Sequence, residues 1–559
     1  MVMYMEKYIG DFNVENVFRD VVNIARYHRI QGSKGIVDAA EYVLKRLEEE
    51  GVEAEMLKDE YDGVREHLTL PSPIAWDVIY GELKLKDKTL TTKDSPLLVM
   101  AHSPSGEVKG EVIPILREED WEKAEGKIVL VGEKWRDAYE EANKVGAKAF
   151  IAYRKRTGSA FPYIGLFLTK KDLEWAKIPA VAVPETIAND LIEKAKKGGV
   201  EVEIRVETEI KNRETLPIVY AKVGEPPYLV FSAHICHPKP GANDNASGSA
   251  MLIELARILN KVKSRVGFAF VWIPEYHGTQ AFIPKVKVED FYANINLDMV
   301  GGSEDRAKST IMLVRSPLSR FSLVPGILEL YLDKYNSGGK SFSGSTLPKM
   351  KLKAYPYEMG SDHDIFNFFG IPGTMPITWP DSYYHTSADT PEKLSLESLS
   401  IIGRAVLSTA VFIATAEKSK LERVARGYAM KYLGELSMQR KVEIAESLVM
   451  DGLARDSEFL GLSMGNKIEE EGWLEWKEKG IISNKRLINM NEDLGRKFKE
   501  IMEEERMLVV HTYEFLMLSE KLSEEKVWKA LKDEYGEVKE EKIRKAVEIL
   551  KEFKIVSPK

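Results

Sequence analysis

Apolar positions along the chain fall into four successive textures. Between Val14 and Gly51 they recur at helical spacing on both sides of a polar break, Ile30-Gln31-Gly32-Ser33-Lys34-Gly35, which predicts helix, turn and helix. From about 95 to 209 short β-rich runs take over. Strands are expected at 127–131, 147–153 and 178–183, with a helix over 137–144, and together they read as a compact inserted domain. From 216 to about 416 the rhythm is that of alternating strands and helices. Strands are expected from Tyr228, over 266–273 and over 293–297, and the second is so continuously apolar that both its faces should be buried. Helices are expected over 246–259 and 396–416. Beyond Ser419 strand signals almost vanish, helical stretches dominate, and 553–557 would suit a short wing strand. The pattern predicts an α/β fold with a mostly parallel central sheet and flanking helices, an inserted small β/α domain, and a helical C-terminal domain compatible with a winged helix. The expected boundaries are 1–94 and 210–418 for the α/β unit, 95–209 for the insertion and 419–559 for the C-terminal domain.

Composition narrows the function classes. Hydrophobic residues make up 44% of the 559 positions and charged residues 30%, which fits a globular protein and excludes a wholly disordered one. The 80 Lys+Arg and 88 Asp+Glu leave a net charge of −8, so there is no electrostatic reason to expect nucleic acid or an anionic membrane as partner. No uninterrupted apolar run reaches the roughly 18 residues that a bilayer requires. The opening MVMYMEKYIGDFNVENVF places acidic residues where a secretory leader would need an apolar stretch, so a cytoplasmic location is expected. The single cysteine, Cys236, excludes an internal disulfide framework. Glutamine is confined to Gln31, Gln280 and Gln439 among abundant Lys and Glu, a bias of heat-adapted proteins, and a thermophilic source is expected.

Five of the nine histidines lie between positions 234 and 385. In open α/β sheets ligands bind outside the carboxyl ends of strands, and His234, Glu275 and Asp298 each follow an apolar strand. Asp244 stands just before a helix in a loop that carries Gly241. Imidazole plus carboxylate suits zinc with open positions for water and substrate, and two metals sharing a carboxylate can activate water together.

The phrases GANDNASGSAMLIELAR, NLDMVG, GSDHDIF and YHTSADTPEKL resemble the signatures of the M28 zinc peptidases, mostly aminopeptidases on an α/β fold. The N-terminal RIQGSKGIVDAAEYVLKRLEEEGVE is similar to that family's first helices, and the insertion resembles a protease-associated domain. The resemblance implies His234, Asp244 and Asp298 around a first metal, with Asp244 bridging to a second metal held by His385. It also implies Glu275 as general base and Tyr384 as a donor to the oxyanion. Two positions depart from the pattern: Cys236 stands where the family has an aspartate that orients the first histidine, and Tyr276 stands where it has a second-metal glutamate. His237 and His277, each read singly as a solvated loop histidine, are the alternatives for the vacated role, and His237 is also an alternative to His234. Asp389 is a further candidate ligand or supporting carboxylate. One or two zinc ions are implied, with cobalt or manganese as substitutes. The expected activity is removal of N-terminal residues from peptides, with no nucleic-acid or membrane partner and with self-association open to the C-terminal helices. The competing reading is a lapsed relative that uses the fold for binding or scaffolding.

Overall fold

The computed structural model describes residues 2–559. An eight-stranded sheet forms the centre, in the order Ala54–Tyr61, Glu214–Val223, Gly267–Ile273, Tyr228–His234, Phe291–Asn296, Gly373–Trp379, Thr310–Val314, Leu352–Tyr355. The three ladders that join Gly267–Ile273, Tyr228–His234, Phe291–Asn296 and Gly373–Trp379 are parallel, as is the edge ladder between Thr310–Val314 and Leu352–Tyr355. The other three are antiparallel, so the sheet is mixed and its parallel centre is where strand ends converge. Every residue of Tyr228–His234, Gly267–Ile273 and Phe291–Asn296 is buried, which accounts for their unbroken apolar character. Helices Val14–Ile24, Lys34–Glu49, Gly248–Leu259 and Leu396–Thr415 cover the faces. The side chains of Asn13 and Ser33 cap the first two, and the chain then leaves the second through Gly51 at positive φ. Leu396–Thr415 has the length and hydropathy to cross a bilayer, but 78% of its apolar window is buried inside the protein, as in a core helix.

A second sheet of seven strands lies between Tyr61 and Glu214 in the chain, two residues that pair with each other in the central sheet. It is wider than the expected 95–209. Ala75–Lys84 and Thr89–Thr91 open it and Glu201–Lys211 closes it. Ala75–Lys84 is half exposed and carries Asp77, Glu82 and Lys84, which hides its strand character in the sequence. This sheet has an apolar core of its own, whereas the C-terminal helices share one continuous core with the central sheet. The C-terminal unit is helical except for a two-stranded ribbon, Leu474–Trp476 against Val556–Pro558.

Buried carboxyls fasten the C-terminal helices to the central unit. Glu514 accepts the Ser319 backbone N–H at 2.8 Å and its hydroxyl at 2.6 Å, Glu534 accepts the Leu318 N–H at 3.1 Å, and Asp456 accepts the Leu323 N–H at 2.7 Å. Burial raises the Glu514 carboxyl to about 7, and burial with the adjacent Glu514 carboxylate holds Glu534 well above its ordinary value. A carboxyl whose pKa is raised by folding stabilises fully below its unfolded pKa and loses that contribution as pH rises through the folded pKa. Parent stability should therefore fall as pH climbs from about 4.5 through 7. Glu534→Gln keeps an acceptor for Leu318 without a charge. It should melt roughly 2–8 °C above the parent at pH 8, with the difference closing by pH 4.5, as read by thermal denaturation at the two pH values.

Candidate metal centre

The ends of three neighbouring parallel strands and the loops after them carry the ligating groups, and the sequence between 241 and 248 locks the first two loops together. Asn245 Oδ1 accepts the Met299 N–H at 3.0 Å, Ser247 Oγ the Val300 N–H at 3.1 Å and Asn243 Oδ1 the Gly301 N–H at 2.9 Å. Three alternate side chains of Asn243-Asp244-Asn245-Ala246-Ser247 thus satisfy three consecutive donors of the Asp298 loop. A Cβ on Gly248 would lie 2.2 Å from the Leu297 carbonyl oxygen, so only glycine lets the helix start this close. Asp389 holds the loop from the other side, accepting the Asn243 and Asp244 N–H groups at 2.8 and 3.1 Å. It therefore supports the loop as a backbone acceptor and belongs to neither of the ligating groups described next.

Asp244 is the hub. Its Oδ1 lies 3.2 Å from His234 Nε2, and its Oδ2 lies 3.3 Å from His237 Nε2 and 3.1 Å from His385 Nε2. His234 Nε2 is also 3.3 Å from Asp298 Oδ1. The result is two trios with geometry able to hold a cation, His234–Asp244–Asp298 and His237–Asp244–His385, which share Asp244 through its separate oxygens. His234 Nδ1 faces the Cys236 carbonyl oxygen at 3.0 Å, and His237 Nδ1 faces the Pro238 carbonyl oxygen at 2.9 Å. A carbonyl only accepts, so each Nδ1 carries its proton, and each ring turns Nε2, the nitrogen left for a second proton or a cation, toward carboxylate oxygen. Two lone pairs at that separation repel unless a proton or cation lies between them. His237 Nε2 and Asp298 Oδ1 are buried without a hydrogen-bond partner among the described residues, and a divalent ion would satisfy both. Burial opposes charging His234, yet Asp298 and Glu275 outweigh it and raise its pKa well above the ordinary value, the response of a site built for positive charge.

The expected residues separate clearly. His234, Asp244, Asp298 and His385 come together, and His237 joins them. His237 is buried in the second trio and is not a solvated loop histidine. His277 is not with them: its ring meets the Pro71 carbonyl oxygen at 3.2 Å and packs on His67, and burial with that neighbour lowers its pKa to about 3. Tyr276 also faces away, donating its phenol proton to Asp364 at 2.7 Å. Its backbone, at φ 58° and ψ −58°, forms a strained γ-turn closed by the His277 N–H on the Glu275 carbonyl oxygen at 2.7 Å. Asp362 of the GSDHDIF phrase accepts the Tyr276 N–H at 2.8 Å and helps hold that turn. Glu275 lines the same cavity as His237, Asp244 and His385. Tyr384 stacks on His385 with ring centres 3.7 Å apart.

Three contributors escaped the sequence reading. Arg29 is wholly buried and donates to the carbonyls of Ile235, Pro240 and Gly241 at 2.8, 3.2 and 3.1 Å, tying down the loop that carries His237. Burial lowers its pKa to about 10 against the pull of nearby acids, which leaves it charged at neutral pH. Gln31 donates to the Glu275 carbonyl at 3.1 Å. Tyr163 of the inserted sheet lays its ring 5.3 Å from His237 and 5.2 Å from His385, while its N–H donates to the His385 carbonyl at 2.7 Å. The only sequence signal for Gln31 was its place in the polar turn before a helix, and for Arg29 its place immediately before that turn. Tyr163 gave none.

Residues 218–410, which contain all the ligating positions, match the model of Peptidase family M28. The chain carries an M28 peptidase domain. Over 322 residues it is 26% identical to Aminopeptidase YwaD of Bacillus subtilis (strain 168), a match covering 53% of this chain and 64% of that relative. The chain thus spans less than two thirds of that curated relative's length. The structure of BSAP, a zinc aminopeptidase from Bacillus subtilis, aligns at 20% identity with TM-score 0.55, covering 73% of this chain and 96% of the other. The Peptidase M28 precursor from Shewanella amazonensis SB2B aligns at 14% identity with TM-score 0.52, with the same coverage. These structural likenesses show that the M28 domain here has the fold of those proteins.

Within the M28 domain, ligation by His237 and by His277 makes opposite demands. His237→Ala should lower the zinc retained per chain by about half after loading and gel filtration, and His277→Ala should leave it unchanged, as read by elemental mass spectrometry.

Proposed function

We propose that the protein is a metal-dependent aminopeptidase with two zinc ions, one in each trio, for which cobalt or manganese can substitute. The observation that carries this reading is the pair of imidazole–carboxylate trios joined at Asp244, with His237, Asp244 and His385 lining one cavity together with Glu275. Zinc, when bound, supplies Lewis acidity to the scissile carbonyl and acidifies water. Asp244, His234 and Asp298 would hold one ion, and Asp244, His237 and His385 the other.

Glu275 is the proposed general base, taking a proton from the attacking water and returning it to the leaving amine nitrogen. Its backbone is held on both sides, by Gln31 at its carbonyl and by its own N–H on Cys236 Sγ at 3.1 Å. In the protein alone, burial pushes the Glu275 carboxyl well above its ordinary value; His234 opposes this, while Asp298, Asp362 and Asp244 add to it. A carboxylate so placed accepts a proton readily at neutral pH. Tyr384 is the proposed oxyanion donor. Burial raises its phenol pKa, which keeps the proton available for donation, and stacking on His385 together with edge contact to Trp379 fixes its ring. The inserted sheet, for which the sequence implied a protease-associated domain, is proposed to restrict entry to peptides.

Glu275→Gln tests the reading. Zinc content and melting temperature should stay at parent values while kcat on an aminoacyl chromogenic substrate falls by about 10²–10⁴-fold. Parent protein that holds zinc and releases no N-terminal residue from any peptide would refute the proposal.

A further inference from the structure

A cavity of about 870 Å³ runs from the metal centre between the inserted sheet and the C-terminal helices. Its two ends differ in charge balance. At the inner end lie Asp244 and Glu275. Farther out, carboxylates already have lysine partners: Asp137 with Lys499 at 2.6 Å and Asp172 with Lys485 at 2.5 Å. Glu140 likewise pairs with Lys144 at 2.8 Å. Arg136 on the cavity wall has no carboxylate partner among the described residues. Its Nε donates to the Gly165 carbonyl at 3.1 Å, and its guanidinium carbon lies 4.9 Å from the centre of the Phe167 ring. Those two contacts fix the guanidinium plane, and both terminal nitrogens lack a hydrogen-bond acceptor among the described residues.

The same short segment links this cation to the metal centre. Gly165 is two residues from Tyr163, whose ring lies against both His237 and His385. A guanidinium with its plane fixed and its outer edge open is the geometry that takes a carboxylate through two parallel hydrogen bonds. The cavity between is walled in part by Trp135, Ile164, Leu166 and Trp175, which suits peptide side chains but provides no other unpaired fork.

We propose that Arg136 binds the C-terminal carboxylate of short peptides whose N-terminus lies at the metal centre. The site is then matched to the zwitterion of an oligopeptide, with its amine toward Asp244 and Glu275 and its carboxylate at Arg136. The orientation of the peptide rests on the aminopeptidase reading; the carboxylate site rests on Arg136 itself. No bond is made or broken at Arg136.

Binding can be measured without turnover in zinc-loaded Glu275→Gln protein, using calorimetry with tri-, tetra- and pentapeptides as free acids and as C-terminal amides. At one or more lengths the acid should bind about 10–100-fold more tightly than the amide. Adding Arg136→Gln should bring the acid down to the level of the amide, and Arg136→Lys, which keeps the charge but not the fork, should restore only part of the preference. Equal binding of acid and amide at every length overturns the proposal, as does an undiminished preference in Arg136→Gln. Should Arg136→Gln fail to fold, full acid preference in Arg136→Lys overturns the fork. Acid preference in the binding assay with no turnover by the zinc-loaded parent upholds the Arg136 site and refutes the aminopeptidase reading, so the two failures are separable.

Discussion

A single buried carboxylate, Asp244, facing three imidazole nitrogens, two from one strand end and one from a distant loop, is the interaction on which the structure turns. At a buried site, lone pairs of nitrogen and oxygen about 3 Å apart repel unless a proton or cation lies between them, and a cation in each trio resolves the conflict for all of its members. The surroundings show how much structure is committed to that end. Asp389 fixes the backbone of Asp244, and Arg29 gathers three carbonyls of the loop that carries His237. Asn243, Asn245 and Ser247 clasp the Asp298 loop. None of these groups is among the ligating residues. Each removes a degree of freedom that would otherwise let the charged groups relax apart.

Cys236 and Tyr276, which in the sequence look like losses, are replaced in the structure by other means. The imidazole of His234 needs an acceptor on Nδ1, and the Cys236 backbone carbonyl provides one without any carboxylate. Its thiol meanwhile accepts the Glu275 N–H and so ties the two loops together. The second trio needs a third ligating side chain, and His237 fills that place from the strand end that also carries His234. Tyr276 is thereby free to face Asp364, and its γ-turn sets the direction in which the chain leaves Glu275. A lapsed relative would leave those two roles empty, whereas here the Cys236 carbonyl and His237 fill both.

Much of this was legible in the sequence because strands buried on both faces announce themselves and strand ends carry the chemistry. His234, Glu275 and Asp298 could be placed from apolar runs alone, and Asp244 from the glycine-bearing loop and the helix that follows. Contributions that depend on contacts between distant segments were not legible. Arg29 looks like any basic residue after a helix until the loop at 235–241 folds over it. His237 and His277 occupy similar loop contexts in the sequence, and only the packing of His277 against His67 and Pro71 separates them. The half-exposed Ala75–Lys84 strand lacks an apolar run, so the second sheet begins earlier than its pattern suggested. The antiparallel flanks of the central sheet carry no signature of direction at all.

The inserted sheet and the C-terminal helices lie on either side of one problem, the enclosure of a site at the open edge of a sheet. The insertion reaches the metal centre through Phe161–Tyr163, where Pro162 bridges to Thr386 beside His385. The C-terminal helices reach the insertion through Lys485, whose ammonium meets Asp172 and the Phe167 carbonyl, and through Lys499 on Asp137. Neither unit closes the cavity without the other. The C-terminal helices can serve as a wall because they continue the central core and are not tethered beside it, so their position is set by buried apolar contact and by Glu514, Glu534 and Asp456. The insertion has an apolar core of its own, and the enclosure of the site is divided between the two units, which meet across the segment that carries Tyr163, Gly165 and Phe167.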